Sequence, residues 1–145
     1  MSTPSKLEQL EARVMVVLVD QSNRIYSTDE IEEGIRQALG VFSLARGEEL
    51  KVGGLDDAED TTLEQLFESQ LVLGAAGYVV NSRALEQASA FNQDEKLPAD
   101  LAAWAEKTIQ AFQVQVVDVT RQGSLHNAAN PPWSTVGGWR LPDEP

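Results

Sequence analysis

An all-α fold, a bundle of about four helices, is predicted by two observations. Four segments carry apolar residues at helical spacing, and three of them open with a Ser/Thr-x-x-Glu start signal. The first runs from Lys6 to about Val19, with Leu7, Leu10, Val14 and Val17 on one face and Ser5 and Glu8 at capping-box spacing. Its second half, VMVVLV, is apolar all round, so a buried strand competes with helix there. The unbroken phase from Leu7 favours helix.

The second segment carries the most signals. Ser27 and Glu30 form a capping box, Tyr26 and Ile31 stand at hydrophobic-staple positions, and Asp29, Glu30, Glu32 and Glu33 complement the positive end of the helix dipole. Ile31, Ile35, Ala38, Leu39 and Phe42 then draw one apolar stripe, ending near Arg46 and Gly47. From residues 46 to 60 the periodicity vanishes. This insert, with Gly53–Gly54 and two acidic pairs, reads equally as a small β-hairpin (Leu50–Val52 against Gly54–Ala58) or as a mobile loop.

A third helix is expected from Thr61 or Thr62, with Thr61 and Glu64 as its box, to about Ser89, a length of roughly 40 Å. Leu63, Leu66, Phe67, Leu71, Tyr78 and Leu85 mark its buried side. Gly74-Ala75-Ala76-Gly77 strips a full turn of side-chain bulk. Interior glycine costs about 1 kcal/mol relative to alanine, so close approach by another helix, or else a kink, accounts for it. Residues 91–96 read as a loop. A fourth helix is expected from Pro98, with Leu101, Trp104, Ala105, Thr108, Phe112, Val116 and Val119 as its stripe and Gly123 as its stop.

Residues 1–125 thus form a helical domain, and residues 126–145 an extended arm holding four of the six prolines and two of the three tryptophans. Such a peptide builds no core of its own. Trp133 and Trp139 carry too much apolar area to idle in solvent, so they fold back on the bundle or dock on a partner.

Composition narrows the function classes. The chain has 145 residues, 11 basic against 23 acidic, a formal charge of −12 and no cysteine. That balance disfavours a nucleic-acid or anionic-lipid grip, and the missing thiols exclude disulfides, thiolate zinc and cysteine nucleophiles. The strongest apolar runs, six residues at Val14–Val19 and ten at Leu71–Val80, fall short of the about twenty a membrane span needs. The N-terminus lacks a basic segment leading into an apolar core, so a secretory signal is not expected and a cytosolic protein is. His126, the only histidine, reads as a solvated loop residue, and Ser124 beside it as coincidence. No phosphate-binding glycine motif occurs. Asp56, Asp57, Glu59 and Asp60 lack EF-hand spacing and read as a solvated loop ahead of a helix start. Among the scattered arginines Arg36 has two opposite charges at helical spacing, Glu32 and Glu33. No catalytic, metal or cofactor residue is assigned.

In the order of its features, the chain resembles the head–tail connector (adaptor, or head completion) proteins of tailed bacteriophages. The resembling parts are Val17-Leu18-Val19-Asp20, the polar turn Gln21 to Arg24, Tyr26 before the cap Ser27-Thr28-Asp29-Glu30, the helix Ile31 to Leu39, and the small-residue helix LFESQLVLGAAGYVVNSRALE followed by Phe91-Asn92 and another long helix. They span about two-thirds of the chain. The acidic insert and the tryptophan-bearing arm depart from the pattern. The resemblance implies a homo-oligomeric ring, a dodecamer, that sits under the portal protein at the head–tail junction of a virion assembled in the host cytoplasm. It also implies a tail, stopper or terminator protein as second partner, DNA only as passing cargo, no membrane, no cofactor and no enzymatic activity. Within the arm, Pro131, Pro132, Trp133, Val136, Trp139 and Leu141 are the expected partner-binding residues. The core and capping set is Tyr26, Ser27, Glu30, Ile31, Ile35, Leu39, Gly74, Gly77, Trp104 and Phe112. The alternative from composition is a small acidic helical regulator or inhibitor that binds a basic partner.

Overall fold

A computed structural model of the chain describes residues 3–22, 26–89 and 98–128. These form four helices, α1 (Lys6–Ser22), α2 (Thr28–Arg46), α3 (Glu68–Ser89) and α4 (Ala99–Ala128), with a single 3₁₀ turn at Gln65–Phe67 leading into α3. No strand occurs among the described residues. The fold is all-α.

α1 is helical throughout, including the VMVVLV stretch. Leu7, Leu10, Val14 and Leu18 are its buried line. Leu18, rather than the expected Val17, completes that line; Val17 is only half-buried at its edge. α2 follows the expected stripe, with Ile31, Ile35, Ala38, Leu39 and Phe42 all buried. It ends at Gly47, whose φ of 71° is left-handed and whose N–H bonds back to the last turn.

α3 and α2 form the inner pair, each packed against the other and against both outer helices, while α1 and α4 scarcely meet. α2 and α3 approach closely at Gly34, where a Cβ would lie 2.7 Å from the Ala75 carbonyl oxygen. The small-residue turn of α3 serves α4 in the same way. A Cβ on Gly74 would sit 2.6 Å from the Phe112 ring, and one on Gly77 3.1 Å from Ile109. Close helix approach, not a kink, explains those glycines. Phe112 also meets Phe42 and Tyr78 edge-on, so one aromatic cluster ties α2, α3 and α4.

Several boundaries differ from expectation. α3 starts at Glu68, not Thr61, because the threonine hydroxyls are committed elsewhere: Thr61 Oγ1 accepts from the Gly53 N–H (2.9 Å) and Thr62 Oγ1 from the Lys51 N–H (2.7 Å). Leu66, on the 3₁₀ turn, and Leu85 are exposed rather than buried. The line Leu71–Tyr78–Leu85 repeats every seven residues and drifts about 20° per repeat off the core, passing from buried through half-buried to exposed. Pro98 stands just before α4, where its carbonyl accepts from Leu101 and Ala102. α4 continues through Gly123 to Ala128. An interior glycine costs only about 1 kcal/mol, and no proline intervenes before Pro131. The start of the expected arm, 126–128, is therefore helical.

Candidate functional site

Three charged clusters fasten the helices to one another. At the start of α2, the Ser27 hydroxyl accepts from the Glu30 N–H and the Glu30 carboxylate from the Ser27 N–H, both at 3.1 Å. Tyr26 and Ile31 are buried, as a staple requires. Arg83 of α3 then donates to the same Glu30 carboxylate at 2.6 and 3.1 Å, and its guanidinium lies 4.2 Å over the Tyr26 ring. Burial works against the Glu30 charge, but the Ser27 N–H and Arg83 outweigh it and hold the carboxyl below its ordinary value.

The second cluster anchors the insert. Arg36 pairs with Glu32 and Glu33 on its own helix and reaches across to Asp56, donating at 2.8 and 3.0 Å. This places Asp56 in a tertiary ion pair, where a solvated loop was expected. Its carboxyl is lowered by the Arg36 hydrogen bonds, and the guanidinium is raised mainly by the same contact. The pair stabilises an unusual backbone: Asp56 and Asp57 have φ of 50° and 64°, a left-handed turn closed by the Ala58 N–H on the Leu55 carbonyl. Gly54, also left-handed, packs so tightly that a Cβ would lie 2.9 Å from Ser5 Oγ. Leu7 donates to the Gly53 carbonyl, and Leu50, Val52 and Leu55 join the core. No hairpin ladder forms; Gly54 donates to Ala58, and Lys51 and Gly53 spend their N–H groups on the threonines. Asp60 lies eight positions before α3 and serves no helix start.

The third cluster joins α1 to the start of α3. Glu68, almost fully buried, takes Lys6 at 3.0 Å and Arg13 at 3.5 Å. Nearby Arg46 closes the end of α2 onto Glu64 and lies 5.8 Å from the Phe67 ring centroid. Of these contacts the Ser27–Glu30 box and the pairing of Arg36 with Glu32 and Glu33 are written in local spacing. The others connect residues far apart in sequence and leave no local signal.

A cleft of about 200 Å³ lies between Leu39 and the insert, bordered by Lys51, Asp56 and Asp57. Small-molecule sites usually occupy 300–1,000 Å³. Among the described residues no group of three or more acidic or histidine side chains is set to hold a metal ion, and no helix is long and apolar enough to cross a membrane. Ser124 and His126 stand on the backbone of α4 rather than on a loop. Of the expected core and capping residues, Tyr26, Ser27, Glu30, Ile31, Ile35, Leu39, Gly74, Gly77 and Phe112 stand where expected, and Trp104 is half-buried at the core's edge. Pro131, Pro132, Trp133, Val136, Trp139 and Leu141 lie outside the described residues.

No protein-family model, curated protein or solved structure matches the chain.

Proposed function

We propose that this chain is a structural adaptor of a phage or prophage head–tail junction, assembling with copies of itself under a portal protein and presenting a docking surface to the tail or stopper. On this reading it is not an enzyme and needs no cofactor; DNA passes it as cargo. The observation that carries the reading is the order of elements: a short helix, an aromatic-stapled Ser27–Glu30 cap on α2, then a small-residue helix gripped by a long final one. The acidic balance suits a DNA channel, which should present like charge to phosphates. Each subunit supplies a rigid bundle for spacing and a Pro/Trp arm for latching, and weak contacts add up when a ring closes.

Light scattering of the chain alone and mixed with a candidate portal protein tests the reading. A ring-sized complex with the portal is expected, and Trp133→Ala with Trp139→Ala should weaken it; if both substitutions leave portal binding intact, the latch is wrong.

The second reading, an acidic regulator of a basic partner, draws on the formal charge of −12 and on the way Lys6, Arg13, Arg36, Arg46 and Arg83 each already have a carboxylate partner within the chain. It predicts a monomer or dimer whose binding weakens steeply with salt.

A further inference from the structure

The exposed apolar residues are not evenly scattered. Leu44, Leu66, Leu73 and Leu85 each lack another exposed large apolar residue within four positions along the chain. Val114 and Val117, however, form a pair on the outer face of α4, 60% and 58% exposed, and Val16 and Val19 a pair on the outer face of α1, 60% and 41% exposed. Because α1 and α4 pack on the α2–α3 pair and scarcely meet, the two valine pairs lie on opposite flanks of the bundle.

Charge indicates what covers them. Thr108 to Val117 is a run of ten residues without a charged side chain, in a chain with a formal charge of −12. The nearest exposed acids on α4 are Glu106 and Asp118, beyond the two ends of that run, and a basic partner finds no carboxylate between them. A second copy, which would be repelled at most other surfaces, meets no like charge within the run.

Direction fits as well. α1 runs with α3, since Lys6 at its start reaches Glu68 at the start of α3, while Tyr26, just beyond its end, lies under Arg83 near the end of α3. α4 runs against it, since Gly74 faces Phe112 and Gly77 faces Thr108. Rotation about an axis along the bundle leaves helix directions unchanged, so α4 of one copy meets α1 of the next antiparallel. Both pairs have a spacing of three residues, so one antiparallel register sets Val16 opposite Val117 and Val19 opposite Val114 together. The same register brings the exposed Arg13 to the end that carries exposed Asp118.

We propose that copies of this chain join head-to-tail through these two flanks, the Val16/Val19 face of one copy packing on the Val114/Val117 face of the next. The contact is heterologous, using two different patches, so repetition closes a ring or extends a filament instead of stopping at a dimer. This deepens the ring reading above and rests on it for closure alone.

The chain contains no cysteine, so single introduced thiols report the contact directly. Full-length Val16→Cys and Val117→Cys proteins, mixed under mild oxidation at the highest attainable concentration, should give a mixed disulfide dimer. Neither protein should link with itself, and the double variant should give a ladder. Val117→Glu should raise the dissociation constant of wild-type assembly by about tenfold or more, with an unchanged circular dichroism spectrum. Self-linking of Val117→Cys at a similar yield, which marks an α4–α4 contact, overturns the proposal, and so does the absence of a mixed product. The two readings fail separately. Portal-bound rings without the mixed link refute this interface and spare the adaptor; a mixed link in a chain that ignores every portal does the reverse.

Discussion

Ser27-x-x-Glu30 and Thr61-x-x-Glu64 have the same pattern and different fates. The first becomes a complete capping box at the start of α2. The second caps nothing: Thr61 turns back to the Gly53 N–H, and α3 waits until Glu68. What separates them lies on either side of the box. Ser27 is flanked by Tyr26 and Ile31, both buried at the positions where a staple fixes the entry angle of the chain, whereas Thr61 has Asp60 and Gln65 there. A hydroxyl serves whichever unpaired N–H the surrounding packing brings to it: at Ser27, as at Ser5 where the Glu8 N–H is taken, that is the first turn of a helix, and at Thr61 it is the insert.

The widest gap between the two sites should come from removing the staple. Tyr26 is buried and lies under Arg83, so Tyr26→Ala should cost about 3–5 kcal/mol in denaturant unfolding. At the equivalent position, exposed Asp60→Ala should change stability by no more than about 0.5 kcal/mol. Equal losses at the two positions would break the comparison.

Removing the hydroxyls sharpens it. Ser27→Ala and Thr61→Ala should each cost about 1 kcal/mol, one through a lost cap and the other through an unpaired Gly53 N–H. Amide hydrogen exchange separates the causes. Ser27→Ala should speed exchange in the first turn of α2, whereas Thr61→Ala should expose the Gly53 amide and leave the start of α3 unchanged.

The same contrast explains how much was legible in the sequence. Helix existence and the α2 stripe were written locally, because a helix buries a face at fixed spacing, whereas Gly74 and Gly77 marked a special turn without deciding between close approach and a kink. The insert was not. Its shape depends on Arg36 reaching Asp56, on two left-handed aspartates and on Ser5 crowding Gly54, all interactions between segments that sequence spacing does not relate. The candidate interface was half legible: the valines and the uncharged run are visible in the sequence, but only the packing places α1 and α4 on opposite flanks.

Acid separates the box that formed from the one that did not. Glu30 has its folded pKa below the ordinary 4.5, so its contribution is fully present above that value and is lost as pH falls through the folded pKa. Arg83→Met removes a half-exposed ion pair worth roughly 0.5–1 kcal/mol at neutral pH. The difference between wild type and variant should shrink on acidification, in melts followed from pH 7 to pH 3. Thr61→Ala, at the unformed box, should keep its cost of about 1 kcal/mol across the same range, because the Thr61 hydroxyl and the Gly53 N–H do not titrate.

Glu11 on α1 should show the opposite sign, and the smallest effect. Its carboxyl is raised above 4.5 by partial burial, then by Glu32 across the helix pair and Glu8 one turn back. A carboxyl raised on folding favours its neutral form in the native state, so it weakens the fold once pH rises through the unfolded value toward the folded one, and weakens nothing below both. Glu11→Gln removes the charge and keeps the shape. It should stabilise the protein at pH 7 by about 0.5 kcal/mol or less, and the gain should vanish below the ordinary carboxyl range, where Glu11 is protonated in both states. Matched melts at the two pH values check this. A gain that persists in acid would mean that packing, rather than the charge facing Glu32, makes Glu11 costly.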